Sequence, residues 1–229
     1  MNKLYFPLII VLWGVFSCSV VPPKVSVIGD SYSTFQGSVI PDTNLCYYGV
    51  PDNGVITDVQ KVADIWWHRF INEHGCKLEY NNSYSGSTIC NTGYEKADFT
   101  DLSFISRMAN LGDPDIILIF GGTNDCWANS PIGNYQYSNW KKENLYYFRP
   151  AFSYLLDYLS KHHPKSLIYN IINTDLSHEI TDSMNDICRH YEISSIYLHD
   201  IEKQGGHPTL KGMKSISDQV WKTVSQDLQ

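Results

Sequence analysis

Ser31 follows Gly29-Asp30 and directly continues a β-branched run, Val25-Ser26-Val27-Ile28. A serine at the carboxyl end of a first strand lies where open α/β sheets put their ligands, so Ser31 is the candidate nucleophile. Three further stretches bring chemistry-bearing residues to the ends of segments: Ser85-Gly86, Gly121-Gly122-Thr123-Asn124-Asp125 and His207-Pro208. Hydrolysing an ester needs a nucleophile, a base that takes its proton, and donors aimed at the oxyanion that forms. A serine, a turn glycine, an asparagine behind two glycines and a histidine ahead of a helix supply those parts in order. Singly, each also has a plain structural reading, as a turn glycine, an Asx-turn residue or a polar residue before a helix.

The elements that must position these residues alternate. Strands are expected at 25–28, 77–80, 115–120, 166–172 and 195–199; the run Asp-Ile-Ile-Leu-Ile-Phe at 115–120 is apolar without alternation, as a central parallel strand should be. Helices are expected at 59–74, 103–111, 143–162 (bent at Pro150), 182–191 and 209–226, the last opened by Gly205-Gly206-His207-Pro208. Irregular stretches at 36–58 and 126–140 remain, the first long enough to cover a site. Strands alternating with helices predict an α/β fold, a three-layer α/β/α sandwich around a parallel sheet of about five strands.

The chain has 229 residues and a formal net charge of −7, with no basic run beyond Lys141-Lys142, which excludes a nucleic-acid surface. Residues 1–18 read as an export signal: Lys3, an apolar run through Leu8-Ile9-Ile10-Val11-Leu12-Trp13, then Val15-Phe16-Ser17-Cys18. The ending resembles a bacterial lipobox, which makes Cys18 the expected site of lipid attachment; the alternative is plain cleavage near Ser17 or Ser19. Residues 19–24 read as a tether and 25–229 as a single domain, placing the protein in the cell envelope, periplasm or outer membrane. Of six cysteines, Cys46, Cys76, Cys90, Cys126 and Cys188 follow Cys18, an odd number that leaves at least one thiol unpaired. No spacing suggests a metal site, and no cofactor is implied.

Gly29-Asp30-Ser31, Ser85-Gly86, Gly121-Gly122-Thr123-Asn124-Asp125 and His207-Pro208 together resemble the four blocks of the SGNH, or GDSL-type, hydrolase superfamily, over nearly the whole chain after the signal. The resemblance implies the flavodoxin-like fold of that superfamily and a serine esterase working through an acyl-enzyme. It matches Ser31 to the nucleophile and His207 to the base, with the oxyanion held by the Ser31 N–H, the Gly86 N–H and the Asn124 side-chain amide.

One position departs from the pattern. Members of the superfamily carry Asp three residues before the histidine, where this chain has Gln204, which cannot stabilise an imidazolium by charge. Asp200, Glu202, a backbone carbonyl near Gln204 or an unsupported dyad are the open replacements. Aromatic residues in the irregular stretches, Tyr47, Tyr48, Trp127, Tyr135, Tyr137 and Trp140, suit sugar rings, or else pack the loops; Trp66 and Trp67 on a helix read as core. The expected substrate is an acylated carbohydrate or other small ester, with deacetylation the leading reaction. The alternatives are a lipid esterase or lipase, and a non-catalytic carbohydrate-binding lipoprotein.

Overall fold

A computed structural model describes residues 21–52 and 54–228; residues 1–18, read from the sequence as an export signal, and with them Cys18, lie outside the described residues. Lys24, assigned from the sequence to the tether, is the first residue of strand β1 (Lys24–Gly29). β2 (Lys77–Asn81), β3 (Ile116–Phe120), β4 (Leu167–Ile172) and β5 (Ser194–Tyr197) complete a five-stranded sheet in the order β2-β1-β3-β4-β5, parallel throughout. The strands end in step, Gly29 opposite Phe120 and Phe120 opposite Ile171, so the loops that leave them share one rim. The order turns back at β1, and the crevice outside the strand ends at such a switch point is where this architecture holds its ligands.

Each strand divides its side chains between two faces, as the pleat requires. Ile116, Leu118 and Phe120 meet Trp66, Phe70, Met213, Ile216 and Val220 of helices α1 (Trp66–Glu73) and α6 (Leu210–Asp227). Ile117 and Ile119 meet the other layer, which includes Phe104 of α2 (Phe104–Arg107), Phe148, Phe152 and Leu155 of α4 (Phe148–His162), and Ile180, Met184 and Ile187 of α5 (His178–His190). The result is the expected three-layer sandwich, with Trp66 and Trp67 in the core as read.

Several boundaries differ from the sequence expectation for local reasons. The stretch 59–74 is helical only from Trp66, after a 3-10 turn at Val62–Asp64. The helix expected over 143–162 is a 3-10 turn, Lys142–Tyr146, followed by α4; Pro150 lies in the first turn of α4, where its missing N–H would have had no partner, so it bends nothing. α5 starts at His178 because Ser177 Oγ accepts from the Ile180 N–H at 3.3 Å. A short helix, α3 (Thr123–Trp127), occupies the start of what reads as an irregular stretch. Gly205-Gly206 does not open the last helix. It is the turn of a two-rung hairpin between β6 (Lys203–Gln204) and β7 (His207–Pro208), with left-handed φ of 56° and 81° at the two glycines. Thr209 then caps α6. All five described cysteines are free thiols.

Candidate active site

Ser31 is the first residue of a 3-10 turn at the end of β1, where Asp30 caps the turn by accepting the Tyr32 N–H at 3.1 Å. Its Oγ lies 3.0 Å from His207 Nε2. The hairpin delivers His207 and is pinned from beneath by two hydroxyls: Tyr32 donates to the Gly206 carbonyl, and Tyr48 donates to the Pro208 carbonyl at 3.1 Å. Tyr47 lies flat on the imidazole, ring centroids 3.6 Å apart and planes 5° from parallel. The 36–58 stretch therefore does cover the site. It is tied down by Gln36 N–H to the Tyr48 carbonyl at 2.9 Å and Ser85 N–H to the Leu45 carbonyl at 2.8 Å.

The next two blocks are stitched to the first. Tyr84 N–H donates to the Gly29 carbonyl at 3.1 Å, which brings the Ser85-Gly86 turn alongside the strand that leads to Ser31. Gly86 has a φ of 82°, a left-handed conformation that strains any residue with a Cβ, and a Cβ there would meet nothing within 4 Å. The glycine thus serves the backbone turn, and the space a side chain would fill is open. Asn124, on α3, donates from Nδ2 to the Ser87 carbonyl at 3.0 Å. Asp125 accepts the N–H groups of Ile89 at 2.8 Å and Cys90 at 3.2 Å, so the third block holds the second through its carboxylate.

Arg107 joins these loops from below, although no motif or spacing singles it out. The buried guanidinium donates to the Leu102 carbonyl at 3.0 Å, the Asn82 carbonyl, the Gly29 carbonyl at 3.3 Å and Ser87 Oγ at 2.9 Å. Burial lowers its pKa to about 9, against the pull of Asp30. Burial likewise raises Asp30 to about 7 and Asp125 to about 6; backbone N–H donors hold both lower than burial alone would.

The replacements left open for the missing acid can now be sorted. Asp200 points into solvent and pairs with His199 at 3.2 Å, while Glu202 accepts from Thr209 Oγ1 at 2.7 Å and lies 3.6 Å from Lys211 Nζ, so neither carboxylate reaches His207. What stands at His207 Nδ1 is the Gly205 carbonyl, at 3.3 Å. Burial lowers the His207 pKa below its ordinary value, the nearby Lys203 ammonium adds to that, and the Gly205 carbonyl opposes it. The imidazole therefore stays neutral, and able to accept a proton, to a lower pH than a free histidine.

The aromatic residues separate by what they touch. Tyr47 and Trp127 neighbour His207, the Trp127 ring 5.9 Å away and 44% exposed. Tyr48 is fully buried. Tyr135, Tyr137 and Trp140 pack the second loop against helices instead: Tyr135 donates to Asp186 at 2.8 Å, Tyr137 stacks on His190 at 3.8 Å, and Trp140 meets Tyr154 at 5.3 Å. Among the described residues no group of three or more His, Cys, Asp or Glu could hold a metal ion.

A parallel sheet with a serine–histidine pair at its switch point is the architecture of an ester-hydrolysing enzyme. The pattern of the GDSL-like lipase/acylhydrolase family matches residues 23–224, and the chain belongs to that family. Among solved structures, a protein called a GDSL-like lipase from Bacteroides uniformis superposes with a TM-score of 0.89 at 62% identity, over 90% of this chain and 96% of that one. A GDSL-like lipase from Bacteroides ovatus does so with a TM-score of 0.87 at 51% identity, over 90% and 100%. An acetyl xylan esterase from the rumen bacterium Butyrivibrio proteoclasticus shares the fold at a TM-score of 0.55 and 15% identity, over 91% of this chain and 64% of that one. No curated protein matches the sequence.

Proposed function

We propose that this esterase works through an acyl-enzyme on Ser31 and removes acetyl or similarly small acyl groups from carbohydrate. The observation that carries the mechanism is the 3.0 Å contact between Ser31 Oγ and His207 Nε2. His207 takes the Ser31 proton as Oγ bonds to the acyl carbon, and the carbonyl oxygen becomes an oxyanion received by the N–H groups of Ser31 and Gly86 and by Asn124 Nδ2. Collapse breaks the bond to the alcohol, which takes the proton back from His207. A water, deprotonated by the same nitrogen, then releases the acid and restores the Ser31 hydroxyl.

The substrate class is supported by the rim. Tyr47 and Trp127 flank the histidine with flat apolar faces suited to the C–H face of a sugar ring. The Butyrivibrio relative of the same fold is named for acetyl xylan. We assign residues 1–18 to export and Cys18 to lipid attachment, which would tether the enzyme at the envelope beside polymeric substrate; incorporation of labelled palmitate, lost in Cys18→Ala, tests that anchor.

Incubation with p-nitrophenyl acetate, longer p-nitrophenyl esters and acetylated xylan tests the reaction. Acetate esters should be preferred, xylan should release acetate, and Ser31→Ala should be inert while melting like the parent. Preference for long acyl chains would reject deacetylation in favour of a lipase, and turnover by Ser31→Ala would reject the nucleophile.

A further inference from the structure

Tyr94 belongs to none of the four sequence blocks, yet its hydroxyl donates to Asn124 Oδ1 at 2.6 Å. On the other side of the same amide, Nδ2 donates to the Ser87 carbonyl at 3.0 Å. A carbonyl can only accept, so the amide nitrogen must face Ser87; a tyrosine hydroxyl can donate, so the amide oxygen has its complement in Tyr94. The two contacts fix both the flip and the rotation of the side chain and leave Nδ2 one N–H uncommitted. Turned over, the same amide would present its oxygen, a partial negative charge, to the charge that forms in the reaction.

The segment that carries Tyr94 is held in a costly conformation. Glu95 and Lys96 are consecutive non-glycine residues in the left-handed region, with φ of 54° and 61°. Backbone contacts on either side keep them there: Gly93 N–H to the Ala97 carbonyl at 2.9 Å, Ala97 N–H to the Tyr94 carbonyl at 2.9 Å, and Phe99 N–H to the Asn91 carbonyl at 2.8 Å. The Phe99 ring closes against Gly93, where a Cβ would come within 2.4 Å of it. Core packing does not account for this strain, because Tyr94 is 36% exposed and lies outside both hydrophobic clusters. Besides a tilted ring contact with Phe99, centroids 6.5 Å apart, the strained turn secures the hydrogen bond to Asn124.

We infer that Tyr94 is a positioning residue that aims the Asn124 amide at the oxyanion. The inference rests on the reading of Asn124 as an oxyanion donor. The hydroxyl also draws charge from the amide oxygen, which strengthens the remaining N–H as a donor. Because the oxyanion exists only after attack begins, the effect falls on kcat and not on KM.

The experiment is a double-mutant cycle on p-nitrophenyl acetate with Tyr94→Phe, Asn124→Ala and the pair. Tyr94→Phe removes one oxygen atom from a partly exposed ring, and kcat should fall about three- to tenfold at unchanged KM, the scale of one neutral hydrogen bond. Asn124→Ala should lose about a hundredfold to a thousandfold. In the Asn124→Ala background the second change should cost nothing further, since Tyr94 acts through that amide. A wild-type kcat in Tyr94→Phe beside a crippled Asn124→Ala overturns the positioning role alone, as does a double variant showing the full product of the two losses. Wild-type activity in Asn124→Ala removes the oxyanion reading underneath it.

Discussion

Gln204→Asp puts a carboxylate back where the superfamily carries its acid. The hairpin register pairs Gln204 directly with His207, and residues opposite each other in an antiparallel pair project from the same face with Cβ atoms about 4.5–5.5 Å apart. An aspartate there comes within reach of Nδ1, which now faces only a neutral carbonyl at 3.3 Å. An opposite charge at about 4–6 Å moves a pKa by about 1–3 units. Gln204 is exposed, so solvent screening favours the lower half of that range. Each unit is about 1.4 kcal/mol of preference for the imidazolium that forms as Ser31 gives up its proton. A shift of about 1–2 units therefore corresponds to an upper limit of about ten- to a hundredfold in kcat once the histidine is neutral. The same shift works against the enzyme in acid. In the parent, burial and Lys203 hold the His207 pKa below the usual value, so kcat/KM should decline only below about pH 6.5. In the variant the decline should begin about 1–2 pH units higher, because His207 becomes protonated sooner and a protonated imidazole accepts nothing. The two pH profiles on p-nitrophenyl acetate should cross, the variant faster at pH 8.5 and slower at pH 5. Superimposable profiles would falsify the claim that position 204 faces the imidazole.

Other consequences can be checked separately. Tyr47→Leu removes the ring stacked on His207 and with it the attraction between a π-face and the developing imidazolium, so kcat should fall by about two- to thirtyfold while Tyr47→Phe stays near the parent; equal losses in both variants would assign the effect to the hydroxyl instead. Arg107→Met leaves the carbonyls of Leu102, Asn82 and Gly29 and the Ser87 hydroxyl without their buried donor, at a cost of about 3–5 kcal/mol. For a chain of this size that is a drop of about 6–20 °C in thermal midpoint by calorimetry; a variant melting with the parent would show that the guanidinium contributes no stability.

The features legible in the sequence are those written in local composition. Ile116–Phe120 reads as a buried parallel strand because both of its faces are covered, and Ser31, Gly86, Asn124 and His207 stand out because they end segments that the sheet must align. The support of His207 was legible only as one of several open replacements, a backbone carbonyl near Gln204 among them, since the Gly205 carbonyl is backbone and any residue could provide it. The turn around it carries a signal of its own: two glycines flanked by residues able to pair are a hairpin cue before they are a helix start. Tyr47 and Tyr137 are the same residue type in similar surroundings, and only the tertiary path of each loop decides that one stacks on the site histidine and the other on His190. Tyr94 and Arg107 escaped for a related reason, because their partners are 30 positions away at Asn124, and 20 and 78 away at Ser87 and Gly29. A chain of unfamiliar contacts at that separation leaves no periodic trace.

The guanidinium of Arg107 gathers the segments that bear Ser31 and Gly86 around one hub, while the hairpin that bears His207 hangs from the Tyr48 hydroxyl of the covering loop and from the Tyr32 hydroxyl of the Ser31 turn. The candidate site is therefore a buried hub and an arm that join at the turn bearing Ser31 and Tyr32. A substitution in the arm, at Gln204 for instance, can therefore leave the four contacts of the hub in place.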